Sequence, residues 1–533
     1  MTMASFFSHR CWQLACCVGL LCAAVMARAD IAINLDNDQS RLEVKAIVIA
    51  TGGEGELKAN RLRDLTRLAS SERRKYPATI SIDELHRIAD VLTVAVRAEG
   101  YTFDSLYLPP QTVANGIVQF RYQKSVLVSI NVINNTDYDD RRLSKPFAPV
   151  VGERVFAPRI ENIVYALQAQ PTLSVFAFYS RGPRQGEVVL NLRVDERSQP
   201  FYSLRAENYG SQATGKYRMV GELKGYSLLG DFDRATLAVL STQGEGTTTY
   251  GYLNYRYTLP SLNTWWELGV GDTRYALGSN FEQLEATGSS RSLRLDVNRA
   301  LNHNPKHSRQ IGLGGFHKTS SFGSDDALFD DALGREETSM GAAVNYSANH
   351  TFGKGRIAFG ASAIGGEFSL DEGEGQTLAK LEYHFFASTQ FNSSSRFAIQ
   401  PRLFIRGQLA DKTPLPAIET LSLSGFYGVR ASPVGTVSAD TGVLLSAELH
   451  MPALVNTQLA EQPFSAAPYM FFDSGSGEQY QADDASALSV SQSGFGAGLN
   501  LRWGRFSANA TYASATNQEV NGDDQVYVQL RWQ

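Results

Sequence analysis

Cysteine is missing from almost the whole chain. All four residues, Cys11, Cys16, Cys17 and Cys22, fall at the N-terminal end of 533 residues. That excludes a disulfide scaffold, a cysteine zinc site and a cysteine nucleophile from everything downstream. Charge is also sparse: 19% of residues are Asp, Glu, Lys or Arg, with a net charge of -5. A nucleic-acid binder normally shows a basic face, so no nucleic-acid partner is expected. Beyond residue 29 no apolar run approaches the ~18 residues that mark a spanning helix. No nucleophile–base pair, H-E-x-x-H or phosphate-binding loop occurs either. No catalytic residue, cofactor or metal is therefore expected, and the chain does not read as an enzyme. His303 and His307 flank Asn304-Pro305-Lys306 and read as part of a solvated turn. Asp325, Asp326, Asp330 and Asp331 lack the spacing of a calcium loop.

What is present begins with an address. Met1 to Arg10 is short and carries one positive charge, Cys11 to Met26 is nearly all apolar, and Ala27-Arg28-Ala29 supplies small residues at a cleavage site. Residues 1–29 therefore read as a signal peptide, the alternative being an N-terminal anchor. An exported chain without a spanning helix is either soluble or a β-barrel.

Residues 42–124 and 125–197 each follow the order strand, helix, helix, strand, strand. In the first, Arg41 to Lys45 alternates as a strand does. Ser81 and Glu84 form a capping box, and Leu85, Ile88, Ala89, Leu92 and Val96 recur at helical spacing up to Gly100. Ser105 to Gln111 is a short strand stopped by Pro109 and Pro110, which cannot donate to a ladder, and Asn115-Gly116 turns the chain into Ile117–Tyr122. In the second, Val126–Val132, a helix from Pro158, Leu173–Tyr179 and Val188–Val194 repeat the order. Modules with so few strands leave a sheet edge to which an extended peptide can add.

From 198 to 533 the period is two. Leu253, Tyr255, Tyr257 and Leu259 alternate with Asn254, Arg256 and Thr258, and Leu293, Leu295 and Val297 with Arg294, Asp296 and Asn298. A soluble sandwich alternates in the same way, but many of these runs reach the ~9–11 residues that cross a membrane at a tilt. Sixteen strands are expected, starting near 201, 216, 234, 249, 264, 289, 308, 339, 356, 378, 396, 441, 465, 489, 505 and 525. The long connections, 276–288, 319–338, 410–440 and 474–488, follow odd strands and belong outside the cell. The longest, 410–440, reads as a structureless and therefore functional loop. It carries Ser424 to Pro433 with a single arginine, Arg430. If the loop folds inward, that arginine can meet Asp473, which lies at the end of a β run.

These residues resemble the outer-membrane transporters of two-partner secretion, the haemolysin-activator or TpsB family. Tyr107-Leu108-Pro109-Pro110-Gln111, followed by Asn115-Gly116, looks like that family's first POTRA module. Asn208-Tyr209-Gly210 with Thr214-Gly215 resembles its first barrel hairpin. Gly425, Gly428, Val429 and Arg430 resemble its loop-six motif, Phe472-Asp473-Ser474-Gly475 the partner motif on the barrel wall, and Thr441 to Ser446 the strand after the loop. The resemblance spans essentially all of the chain after the leader. It implies an α+β pair of periplasmic POTRA modules and an all-β, sixteen-stranded transmembrane barrel, with Arg430 paired to Asp473 inside the pore. It further implies an outer-membrane pore that moves a large, unfolded, β-helical exoprotein from periplasm to cell surface without ATP. The modules would capture that haemolysin- or adhesin-like partner, outer-membrane lipid would surround the barrel, and the barrel-assembly machinery would read Trp532.

Three departures stand beside the resemblance. Val429-Arg430-Ala431-Ser432 replaces the usual V-R-G-Y or V-R-G-F. Only the short linker 30–41 precedes the first module, so no plug helix is expected. The chain ends Arg531-Trp532-Gln533, one residue past the usual terminal aromatic. Two other readings are an insertase for other barrels, which usually carries three to five POTRA modules, and a passive solute porin, which needs none.

Overall fold

A computed structural model describes residues 41–52, 57–197, 199, 202–324, 334–370, 375–391, 398–411, 413–481, 487–516 and 524–533. The leader expected over 1–29, nearly all of the linker 30–41 and the four aspartates at 325–331 lie outside these residues. The chain divides into two compact units after Val126.

The first unit holds a three-stranded sheet with Ile117–Gln123 in the middle, parallel to Ala46–Ala50 and antiparallel to Ser105–Tyr107. Helices α1 (Ala59–Arg73) and α2 (Ile82–Arg97) pack on it. The capping box forms: Ser81 Oγ accepts from Glu84 N–H at 3.2 Å and Glu84 Oε2 accepts from Ser81 N–H at 2.8 Å. The latter bond holds the Glu84 carboxyl below its ordinary pKa. The helical stripe Leu85, Ile88, Ala89, Leu92 and Val96 is buried against Val118, Phe120 and Leu106. The alternation at Arg41–Lys45 proves to be a different strand from the expected one. Leu42–Glu43 pairs with Thr79–Ile80, and the sheet strand is Ala46–Ala50, whose Ile47 and Ile49 enter the core. Both stretches alternate, but only the second carries two large apolar side chains on one face.

In the proline motif, Tyr107 pairs with Arg121, which sets Pro109 opposite Gln119, and Pro109 has no N–H to offer. The Gln111 side chain supplies it. Its Nε2 donates to Gln119 O and its Oε1 accepts from Gln119 N, both at 2.7 Å. Asn115 and Gly116 both take left-handed φ, 56° and 73°, which explains that dipeptide at the turn.

The second unit opens with a sheet in which Glu187–Glu196 lies between Val126–Asn135 and Leu173–Arg181. Helices α3 (Asp140–Ser144) and α4 (Ala157–Gln168) follow its first strand, α4 packs on Leu173–Arg181, and Leu143, Ile160, Leu167, Leu173, Leu190 and Leu192 are all buried.

The barrel strands are β1 (Tyr202–Glu207), β2 (Tyr217–Tyr226), β3 (Arg234–Gln243), β4 (Thr247–Thr258), β5 (Thr264–Ala276), β6 (Ala286–His303), β7 (His307–Ser324) and β8 (Arg335–Phe352). They continue as β9 (Gly355–Leu370), β10 (Gln376–Ser388), β11 (Gln400–Ala410), β12 (Thr441–His450, resumed at Val455–Leu459), β13 (Gln462–Tyr480), β14 (Ala487–Trp503), β15 (Phe506–Ala515) and β16 (Gln525–Trp532). Neighbours are antiparallel throughout, and β16 closes on β1 with Trp532 opposite Leu204. The Asn208 side chain extends that seam, donating to Val526 O at 2.8 Å and accepting from Val528 N–H at 2.7 Å.

The outward face is apolar and open: Leu253, Val270, Leu293, Leu295, Val297, Leu313 and Val344 are each 42–60% exposed. An exposed apolar band of this extent fits hydrocarbon rather than water. Trp532 joins it beside Tyr202, opposite Phe506.

Several connections are shorter than expected, because strands run well beyond the apolar band. β7 reaches Ser324, β8 starts at Arg335 and β13 reaches Tyr480, so 319–338 and 474–488 are partly strand. Backbone pairing continues through Ser289, Ser290, Ser320 and Ser321 after the apolar alternation has ended. At the opposite end, the 227–233 turn meets the second module. Tyr138 stacks on Phe232 and bonds Ser227 Oγ at 2.6 Å, Arg142 pairs with Asp231, and Asn162 accepts from His303 N–H at 2.7 Å. Asp233 shapes that turn by accepting from Leu228, Leu229 and Gly230 N–H and from the Tyr255 hydroxyl. Burial opposes its charge, but Tyr255 and those N–H donors outweigh it and hold the carboxyl below its ordinary pKa.

Candidate functional site

The connection between β11 and β12 enters the barrel from the end remote from the second module. It is not structureless. A 3₁₀ turn, Ala417–Glu419, leads into a small hairpin in which Leu421–Ser422 pairs with Ser438–Ala439. The tip between them is a knot of backbone bonds. Gly425 N donates to Ser432 O at 3.0 Å, Gly428 N to Gly425 O at 2.9 Å and Val429 N to Leu423 O at 2.7 Å. Two glycines make the knot possible. Gly425 has φ 90°, and a Cβ at Gly428 would stand 2.4 Å from Leu423 O. Val429, fully buried, packs with Leu423, Ala431 and Ala439 against Leu444, Tyr469, Phe471, Ala513 and Ala515 of the wall.

Arg430 projects from this knot onto β12 and β13. Its Nε and Nη2 donate to the two carboxylate oxygens of Asp473 at 2.8 and 2.7 Å, and its backbone N–H adds a third bond at 3.1 Å. Nη1 donates to Glu448 Oε1 and Nη2 to Ser446 Oγ, both at 2.8 Å. The guanidinium lies 3.6 Å above the Phe471 ring centroid. Asp473 is wholly inaccessible. A bidentate arginine–carboxylate pair with these further partners leaves little unsatisfied and fixes the loop in one register.

Ser446, Glu448 and His450 alternate along the lumen face of β12. The i, i+2 spacing of polar residues in Ser446-Ala447-Glu448-Leu449-His450 is the sequence signal for that face. Glu448 bridges Arg430 to His450 at 2.8 Å, and His450 stacks on Tyr469. Phe426 at the tip stacks on Tyr209 at 3.7 Å between centroids, with Tyr527 set edge-on to both. Tyr209 of the first-hairpin motif thus meets the loop-six motif. A cavity of about 640 Å3 remains beside the tip, lined by Phe426, Tyr427, Arg430, Glu448, His450 and Asn509.

The altered residues find their own places. Ala431 packs on Gly494 of β14, where a Cβ would come within 2.3 Å of the Ala431 Cβ. Ser432, where the family usually has an aromatic, is buried. Tyr107, Leu108, Pro109, Pro110 and Gln111 lie in the first unit. Among the described residues no three His, Cys, Asp or Glu side chains form a metal-sized group. His307 stacks on His350, and the His303 backbone N–H donates to Asn162 of the second module.

The fold is therefore that of a sixteen-stranded outer-membrane β-barrel preceded by two POTRA modules, with its longest loop folded into the lumen. The chain belongs to the haemolysin secretion/activation protein family ShlB/FhaC/HecB, whose description matches residues 186–501, and so to the two-partner secretion transporters. It is 23% identical over 464 residues to the heme/hemopexin transporter protein HuxB of Haemophilus influenzae strain 86-028NP, covering 84% of this chain and 80% of that protein. Its fold is similar to that of CdiB from Escherichia coli, with TM-score 0.74 at 19% identity over 100% of this chain and 99% of the other. CdiB from Acinetobacter baumannii gives TM-score 0.70 at 16% identity over 98% and 97%.

Proposed function

We propose that this protein is the pore through which one large β-helical, haemolysin- or adhesin-like exoprotein passes from periplasm to cell surface. The POTRA modules lie in the periplasm after the leader over 1–29 has been cleaved, and they capture the partner on their sheet edges. Loop six closes the resting lumen, and the Arg430–Asp473 pair is its lock. Folding of the partner outside supplies direction, since a folded solenoid cannot slip back, and no nucleotide is consumed. Trp532 serves the barrel-assembly machinery. The observation that carries this reading is Arg430, buried in the lumen with Asp473, Glu448 and Ser446 all bonded to it. A solute porin needs neither that device nor two modules.

The test is comparative mass spectrometry of culture supernatant and outer membrane, with the gene intact and deleted. One large repeat-rich protein is expected to vanish from the supernatant or cell surface while other barrels stay unchanged. Depletion of several barrels, with no single missing exoprotein, would overturn the reading in favour of an insertase.

A further inference from the structure

The tip is not the only part of the long loop that meets the wall through charge. Glu419 ends the 3₁₀ turn on the arm leading from β11. Its side chain is 1% exposed. Lys318 of β7 reaches Oε1 at 2.8 Å and Lys380 of β10 reaches Oε2 at 2.8 Å. The backbone is held at the same point: Glu419 O accepts from Lys380 Nζ at 3.0 Å and from Gln408 Nε2 at 2.9 Å. Arg406 of β11 adds a bond to Ser422 O at 2.8 Å. These wall residues share no strand with Ser446, Glu448 and Asp473, which hold the tip from β12 and β13.

We propose that Lys318–Glu419–Lys380 is a second anchor of the loop, formed and broken independently of the Arg430 lock. Release of the tip alone then leaves the arm across the lumen. The inference rests on the reading of the barrel as a secretion pore that must clear its loop. The charge arrangement suits an anchor that lets go. Lys380 also pairs with Glu382 of its own strand at 2.7 Å, so departure of Glu419 does not strand a lone buried ammonium, the costly outcome for a broken buried pair. Lys318 is about one-third exposed and is readily rehydrated. Glu419 is thus a positioning residue that meets two cations docked and water undocked.

The experiment compares wild type, Glu419→Gln, Arg430→Ala and the double variant as purified full-length barrels in planar bilayers, with heat-modifiable migration as the check on folding. Each single change is expected to raise open-state occupancy several-fold, and the double variant to exceed both. Identical behaviour of Glu419→Gln and wild type would overturn the proposal. So would a double variant no more open than Arg430→Ala, because the two contacts would then be one lock. If Glu419→Gln yields no folded barrel, Lys318→Gln with Lys380→Gln removes the same anchor from the wall side and is read by the same criteria. Conductance is measured without an exoprotein, so failure of the export reading would leave this result standing.

Discussion

The two sides of the lumen are built on opposite principles. Along β12 to β15 apolar inward residues make a core with the loop, beside the Arg430 contacts and the cavity of about 640 Å3: Leu444, Tyr469, Phe471, Ala513 and Ala515 close on Val429 and Ala431. Along β4 to β8 the inward residues at mid-height are Tyr252, Asn254, Glu267, Arg294, Asp296, Asn298 and Asn345 around an open cavity of about 280 Å3. Both sides alternate with a period of two, and both turn apolar residues to lipid. Both have small residues, and they differ in what those residues meet: on the polar side Gly269, Gly312 and Gly314 stand against Tyr252, Asn298 and Asp296. Gly475, Gly477, Gly494 and Gly496 face the loop side, and added side chains there would meet the loop or its wall neighbours. One side docks the loop, and the other is a polar, wetted wall.

The sharpest way to break this contrast is Arg430→Ala. Asp473 would remain buried with its ion-pair partner gone, and removing one member of a buried pair costs about 3–5 kcal/mol. That is enough to move a docking equilibrium by two orders of magnitude or more. Export of the partner is expected to be lost while a heat-modifiable barrel persists in the outer membrane. Secretion at the wild-type level would show that the pair is not the lock.

A smaller effect is expected from Gly494→Ala, which sets a methyl against Ala431. Overpacking of this kind costs about 1–3 kcal/mol. The loop tip should become sensitive to added protease, and Ala431→Gly in the same chain should restore most of the protection by removing the facing methyl. Equal protection of the single variant and wild type would mean that the tip does not seat on β14. The nearby Ser514 carbonyl, 2.9 Å from the same built Cβ, limits how complete the rescue can be.

Much of this was legible in the sequence because alternation reports the wall directly. The expected strand starts at 234, 264, 441 and 525 coincide with the structure, and the others lie within four residues. The two largest misses, at 339 and 396, fall beside polar connections where apolar alternation gives no edge. Arg430 and Asp473 were nameable from their motifs, and the structure brings them together. The i, i+2 polar spacing marks Ser446 and Glu448 as one face, but that they and Phe471 meet Arg430, and that Lys318 and Lys380 meet Glu419, depends on which inward residue stands at which height, and register around a barrel is not written in local spacing. The tip knot was hidden for a similar reason: its hydrogen bonds join backbone groups that carry no side-chain signature. Gln111 is the converse case. It belongs to a recognisable motif, but its work as a stand-in for the N–H that Pro109 lacks appears only once the register with Gln119 is known.

The smallest expected effect lies on the wetted side. Arg294 donates to Asp296 through Nε at 2.6 Å and Nη2 at 3.0 Å, and Asn345 lies 3.4 Å from the same carboxylate. The pair resembles Arg430–Asp473 in chemistry but not in setting, because the Arg294 side chain is 47% exposed. Asp296 itself is only 12% exposed, but a cation half open to water is screened, so the pair is worth far less than a fully buried one. Asp296→Asn should therefore leave barrel stability, loop protection and export unchanged. It does remove one negative charge from the lumen wall, and charged lumen side chains set ion selectivity. The reversal potential in a salt gradient should shift towards anions, with open-state occupancy as in wild type. A change in occupancy instead would mean that this wall also senses the loop, and the division of the lumen into a docking side and a wetted side would fail.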